Sequence, residues 1–303
     1  MNEQPAIILQ GLKKNYGEVK ALQGVDLRVE QGEIFGFLGP NGAGKTTTLR
    51  CMLDLIRPND GRIQILGLDP QRDPVEVRAK AGYLPGELNL EGNLTGRSLL
   101  RYLYELRGNH FSPGRALELA ERFEVDLNQP IKNLSHGNKQ KIGLIQALMH
   151  DPQLLLLDEP TTGLDPLIQR ELLQILLEAR ETGATVFFSS HIISVVERIA
   201  DRVGIIRKGK IIEVANTEDL LKRAVRRAQV RFRQPVDVSL FNQLPGVEVI
   251  STNGGRSVLL QVTGDMDSLI KVLARQSVIE IETERPSLEE IFMTYYDATE
   301  SER

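Results

Sequence analysis

The sequence predicts an α/β protein: a mostly parallel sheet with helices on both faces, preceded by an antiparallel β subdomain, interrupted by a helical insertion, and followed by a small α+β domain. Three observations carry this. From residue 154 onward, continuous apolar runs alternate with helical patterns, the order of a parallel sheet with crossover helices. Near the start, a glycine-dense turn spanning Gly39 and Thr46 joins an apolar run to a helix. After a basic cluster at 222–227 the pattern becomes short strands separated by short helices. A chain of 303 residues is long for one core. The division falls at residues 1–222 and 223–303, with the insertion over about 87–150.

Composition narrows the function classes. The net charge of −4 argues against a general polyanion binder. No apolar run approaches the ~20 residues that span a bilayer, and residues 1–5 lack the basic and apolar regions of a signal peptide. The single cysteine, Cys51, excludes an internal disulfide and a cysteine-cluster metal site. It falls in the helix after the glycine-rich turn and reads as buried core. The expected location is cytoplasmic, with any membrane role exercised through another chain.

Taken in order, residues 7–9, 21–22 and 25–29 alternate apolar and polar as half-buried strands do, and Gly11, Gly17, Gly24 and Gly32 punctuate them as turns. Residues 47–56 form a helix ended by Pro58 and the Asn59-Asp60-Gly61 turn. Strands follow at 62–66 and 82–84, and Pro85-Gly86-Glu87 is a loop. Leucines at 99, 100, 103 and 106 give a helix over 95–107 with Thr95 as N-cap, and a second helix covers 113–123. A helix over 139–150 precedes Leu154-Leu-Leu-Leu157, a run typical of a buried parallel strand. Helices at 167–180 and 193–200 alternate with strands at 185–189 and 203–206. Lys222, Arg223, Arg226 and Arg227 read as a solvated helix end and linker, because no aromatic residues interleave with them as in a single-strand binder. Beyond lie strands at 229–233, 247–251, 257–262 and 278–283, with helices at 238–244 and 266–273, then a short helix over 287–296. The Asn253-Gly254-Gly255 turn makes the middle strands a hairpin, so the order is ferredoxin-like.

Gly39, Gly44, Lys45 and Thr46 match the phosphate-loop pattern of glycine, four residues, glycine, lysine, then serine or threonine. Glycines let backbone N–H groups approach phosphate oxygens, and the following helix points its positive end at the same anion. Lys45 can neutralise terminal phosphates and the Thr46 hydroxyl can ligate Mg²⁺. A turn that merely seats a strand on a helix is the plain alternative. Placement between an apolar strand and a helix favours a nucleotide triphosphate site. Asp158-Glu159 and His191 each fall just past a strand end, where chemistry lies in such sheets. Tyr16, in a turn, by itself fits a surface or packing residue.

At Leu134-Ser135-His136-Gly137-Asn138 a second diagnostic segment appears. With the phosphate loop, the 154–159 segment, Gly163-Leu164-Asp165 and His191, it resembles the ATPase subunit of an ABC transporter over roughly residues 7–219. The Pro286-Ser-Leu-Glu-Glu-Ile-Phe ending resembles exporter subunits whose membrane domain is a separate chain. The resemblance implies ATP and Mg²⁺ as ligands. Tyr16 would stack on adenine. Gly39, Pro40, Asn41, Gly42, Ala43, Gly44, Lys45 and Thr46 would hold phosphates, with Thr47 nearby. Thr46 and Asp158 would hold the cation, Glu159 would be the general base, and His191 would contact the γ-phosphate and position Glu159. Asp165 would communicate across a dimer interface, and Ser135 and Gly137 would complete the opposite subunit's site. The implied partners are a second ATPase subunit, identical or paired, and a transmembrane permease, placing the chain at the cytoplasmic face of the membrane.

The sequence departs from the family pattern in three places. Gly86 stands where a glutamine is usual, with Glu87 next and expected to take its place in part. His136 replaces a glycine and Asn138 a glutamine, while Ser135 and Gly137 are retained, so a competent dimer is expected. The alternative function is a soluble ABC ATPase acting on ribosomes or nucleic acid. Its usual signs, two cassettes or a long coiled coil, are missing from this sequence. An importer subunit is a third reading, disfavoured because its accessory domain is usually a set of β-barrels. Nucleic acid is not an expected partner.

Overall fold

The computed structural model describes residues 4–108, 113–223, 226–263, 265–284 and 288–289. They fall into two compact units, Met1–Ala215 and Asn216–Arg303.

The first unit holds two sheets. In the smaller, β1 (Ile7–Tyr16), β2 (Val19–Val29) and β4 (Asp60–Ile65) pair antiparallel in the order β2-β1-β4. Here the sequence reading is corrected. Gly11 and Gly24 are not turns but lie inside β1 and β2, where the pairing skips between Leu9 and Leu12 and again before Lys13. Both adopt positive φ, 58° and 93°. An extra residue in a ladder is absorbed as a bulge, and glycine accepts that backbone without steric strain.

The larger sheet is built from β3 (Ile34–Leu38), β5 (Ala81–Leu84), β6 (Leu154–Asp158), β7 (Thr185–Ser190), β8 (Arg202–Arg207) and β9 (Lys210–Asn216), in the order β5-β6-β7-β3-β8-β9. The pairings from β5 to β8 are all parallel. Every residue of β3, β6 and β7 is buried, which is why β3, residues 154–157 of β6 and the 186–188 centre of β7 read as continuous apolar runs. Phe35 stacks on Phe187 with ring centroids 5.6 Å apart, tying β3 to β7. Strand β9 escaped the sequence reading because it is a half-exposed edge with weak alternation.

Helix α1 (Lys45–Met52) is shorter than the 47–56 pattern suggests. Asp54 takes a left-handed φ of 51°, and the Leu55 N–H donates back to the Arg50 carbonyl at 2.9 Å, a chain reversal that closes the helix. Helix α2 (Pro74–Lys80), also unforeseen, buries only Val77. Burial of Cys51, as expected, is nearly complete and pushes its thiol pKa up to about 11.

The insertion comprises α3 (Gly96–Leu106), α4 (Pro113–Arg122) and α5 (His136–Leu148). Thr95 caps α3, its hydroxyl accepting from the Ser98 N–H at 3.1 Å. Helix α5 begins three residues earlier than the apolar spacing indicated, because Ser135 caps it by accepting from the Asn138 N–H at 3.2 Å. It lies directly on β5: a Cβ at Gly82 would stand 2.1 Å from the Ala147 carbonyl oxygen. Two further helices, α6 (Pro166–Glu181) and α7 (Ile193–Ile199), complete this unit. Arg122 at the end of α4 binds Glu171 and, through two N–H groups, Glu178 on α6.

In the second unit, α8 (Thr217–Arg223) is followed by β10 (Arg226–Phe232), α9 (Ser239–Asn242), β11 (Val247–Asn253), β12 (Ser257–Val262), α10 (Asp267–Leu273) and β13 (Val278–Glu284). The antiparallel order β11-β12-β10-β13 is that of a ferredoxin-like sheet. Phe232, Phe241, Leu260 and Leu269 lie in its core. Half of the basic cluster read as linker, Arg226 and Arg227, instead opens β10. The helix expected over 287–296 lies outside the described residues except at 288–289.

Candidate active site

Three adjacent parallel strands, β6, β7 and β3, deliver their carboxyl ends to one edge of the larger sheet. From β3 the chain enters the glycine-rich turn. Gly39 sits so tightly that a Cβ there would stand 2.4 Å from the Ile206 carbonyl oxygen, and Gly44 is left-handed at φ 113°. No side chain caps α1, so its first N–H groups face outward uncompensated by protein side chains. Lys45 is buried. Its Nζ donates to the Gly39 carbonyl at 2.6 Å and the Pro40 carbonyl at 3.2 Å, and lies 3.1 Å from Glu159 Oε1.

Asp158 ends β6 with no exposed surface. The Ser189 hydroxyl donates to its Oδ1 at 2.6 Å, whereas Oδ2 is buried without a hydrogen-bond partner. Glu159 follows with a left-handed φ of 51°, strain of about 1–2 kcal/mol for a residue with a Cβ. That backbone turn aims its carboxylate two ways. Oε1 faces Lys45, and Oε2 accepts from Nδ1 of His191 at 2.8 Å. Since a carboxylate only accepts, the His191 proton is on Nδ1. The Glu159 N–H donates to Ser189 Oγ at 2.9 Å. Ser189 therefore fixes both acidic residues. Sequence reasoning missed it; a hydroxyl directly after the apolar Val186-Phe187-Phe188 run of fully buried β7, two residues before His191, was the available signal.

Ser135, Gly137 and Asp165 form a second group. Helix α5 starts so close to the loop before α6 that a Cβ at Gly137 would stand 2.6 Å from the Gly163 carbonyl oxygen. The His136 ring covers Gly163 itself, where a Cβ would lie 2.7 Å from the ring. Asp165 caps α6, accepting from the N–H groups of Leu167 and Ile168 at 3.1 Å, and the Ile168 bond foremost holds its carboxyl below the usual range. Among the described residues no hydrogen bond or ion pair joins these side chains to Lys45 or Glu159. Tyr16 belongs to neither group; it is half exposed at the end of β1, with Lys14 Nζ 5.3 Å from its ring centroid.

Uncapped N–H groups, a buried ammonium and a glycine-lined turn suit a polyphosphate. The partnerless Asp158 Oδ2 and the Thr46 hydroxyl suit a hard cation, which takes one or two protein oxygens and fills its shell from phosphates and water. No cluster of three or more acidic, histidine or cysteine ligands occurs among the described residues. Nor, among them, is any helix long and apolar enough to cross a membrane.

Residues 22–162 match the family described as ABC transporter, and residues 217–296 match the C-terminal domain of the DrrA1-3-like ATP-binding proteins. The chain is 33% identical over 299 residues, 95% of each chain, to the daunorubicin resistance ATP-binding protein DrrA3 of Streptomyces coeruleorubidus. It is 37% identical over 217 residues to the bacitracin transport ATP-binding protein BcrA of Enterococcus faecalis, covering 71% of this chain and 70% of that one. Among solved structures it is similar to a dimeric ATP-binding cassette in a post-hydrolysis state bound to ADP and Pi, with a TM-score of 0.61 and 27% identity over 70% of this chain and 98% of that one.

Proposed function

Because this chain belongs to the ABC transporter family, as an ATP-hydrolysing subunit of the exporter type, we propose that it closes with a second copy around two ATP molecules and drives a separate transmembrane permease that exports an antibiotic-like compound. The relatives that resist daunorubicin or transport bacitracin support the cargo class. The permease would hold the chain at the cytoplasmic face of the membrane. The single observation that carries the mechanism is the chain of contacts Lys45–Glu159–His191, with Asp158 beside it, at the carboxyl edge of the parallel sheet.

In this reading, Tyr16 stacks on adenine, Asn41, Gly42 and Gly44 offer backbone N–H groups to the phosphates, and Gly39, Pro40 and Ala43 shape the turn that presents them, with Thr47 adjacent. Lys45 leaves the Gly39 and Pro40 carbonyls for phosphate oxygens and so releases Glu159 from its ion pair. Glu159 then takes a proton from the attacking water, and His191 holds its carboxylate in place. General-base assistance of this kind contributes about 10²–10⁴-fold. Thr46 and Asp158 hold Mg²⁺, which when bound neutralises charge on the phosphate oxygens. Ser135 and Gly137 complete the site of the facing subunit, and Asp165 carries the state of one site to the other.

The test is the full chain carrying Glu159→Gln, sized by light scattering. With ATP it is expected to form a dimer that persists, and without ATP to be monomeric. A monomer under both conditions contradicts the reading.

A further inference from the structure

Tyr16 ends β1 with nearly half of its surface exposed, yet its ring is not without a contact. Lys14 Nζ stands over the ring, 5.3 Å from its centroid, and donates to the Arg57 carbonyl at 2.6 Å. A cation within about 6 Å of a ring centroid is attracted to the negative π face. One ammonium therefore touches both a backbone oxygen and an aromatic ring. Arg57 lies just past the chain reversal that closes α1, the helix that leaves the glycine-rich turn. Other bonds stitch the same two segments together. The Asn59 N–H donates to the Lys13 carbonyl at 2.8 Å, and the Asn15 N–H donates to Asn59 Oδ1 at 2.7 Å. The neighbouring ammonium of Lys13 is committed elsewhere, to Asp60 at 2.9 Å.

From these contacts we infer that Lys14 is a positioning residue for nucleotide binding: its ammonium bridges the Arg57 carbonyl and one face of Tyr16, and so sets the ring relative to α1 before a base meets the opposite face. This role rests on the proposed stacking of adenine on Tyr16. A half-exposed tyrosine lacking such a contact samples several rotamers, and stacking a base on it then costs that freedom. Ordering one such side chain on binding is equivalent to about two- to tenfold in affinity. Lys14 removes part of the cost beforehand. It does so without touching the nucleotide, which separates it from a lysine that neutralises phosphate. The bridge also fixes the two ends of the ligand site to one helix: the phosphate turn opens α1, and the ring is tied to the segment that follows it.

The experiment is a double-mutant cycle on the full-length chain, with ADP as the probe and calorimetry as the readout. Lys14→Thr, which suits a strand and keeps neither charge nor reach, is expected to weaken ADP binding about threefold or more. In a Tyr16→Leu background the same change is expected to have no further effect. Carbon relaxation of the Tyr16 ring in the nucleotide-free chain is expected to show greater motion in Lys14→Thr than in the parent. Equal ADP affinity in Lys14→Thr and the parent, with Tyr16→Leu still weakening it, overturns the inference alone. An equal loss from Lys14→Thr with and without the Tyr16 ring also overturns it, by making Lys14 a direct contact of the phosphates. Unchanged ring motion does the same, by showing that the ammonium orders nothing. Unchanged affinity in Tyr16→Leu removes the adenine reading of Tyr16 itself.

Discussion

Ser189 is the residue on which the site's acidic pair depends, since its hydroxyl donates to Asp158 Oδ1 while accepting the Glu159 N–H. Ser189→Ala leaves one buried acceptor and one donor without partners, at roughly 1–3 kcal/mol. The melting temperature is therefore expected to fall, and kcat to fall more than KM for ATP rises. An unchanged melting temperature would show that neither bond matters. His150 makes a different prediction. Burial foremost, then the nearby Arg107 charge, depresses its pKa from 6.5 to about 4, opposed by its bond with the Ala81 carbonyl. The unfolded chain therefore takes up this proton first as pH falls. Stability from this group is complete above about pH 6.5 and is lost progressively down to about pH 4, on the order of 2 kcal/mol after allowance for partial exposure. Chemical denaturation across that window is expected to show the loss in the parent and a flatter profile in His150→Gln. Coincident profiles would exclude the histidine as its source. The sequence carried Glu159 and His191 in plain view at strand ends, but not Ser189 or the state of His150. Their importance comes from what folds against them.

Elements with one strong periodicity were legible; those defined by an edge or an irregularity were not. Strands β3, β6 and β7 read correctly because complete burial leaves a continuous apolar stretch in each, of only three residues, 186–188, in β7. Gly11 and Gly24 were misread because a glycine serves a bulge and a turn through the same backbone freedom, and only pairing register separates them. The leucine spacing of α3 gave its existence and the Thr95 cap gave its start, while α5 was placed late because its first turn owes its position to Ser135, not to apolar spacing. What fixes the insertion was invisible in sequence. Arg122 reaches Glu171 and Glu178 some 50 residues away, and its hydrogen bond with Glu178 foremost raises its pKa. Being partly exposed, the cluster is worth about 1–2 kcal/mol. Arg122→Met is expected to speed hydrogen exchange in α4 while leaving β6 and β7 unaffected. Equal protection in α4 would show that apolar packing alone holds it.

For the whole molecule, the proposed function brings the two groups of site residues together across two copies. Lys45, Glu159 and His191 form one contact chain, and Ser135, Gly137 and Asp165 gather around the Gly163 loop without a bond to it. A two-fold axis lets each surface meet its complement twice. The DrrA-like match over 217–296 shows that the second unit also has relatives, although no chemistry is assigned to its ferredoxin-like sheet. The most direct measurement mixes two full-length variants, Glu159→Gln and Ser135→Arg, each inactive alone. If sites are shared, a mixed dimer contains one intact site, made from Lys45 and Glu159 of one chain and Ser135 of the other. ATPase activity is then expected to appear on mixing, rising to about a quarter of the parent value when half the dimers are mixed and one of two sites works. A mixture as inactive as its components would contradict the shared site.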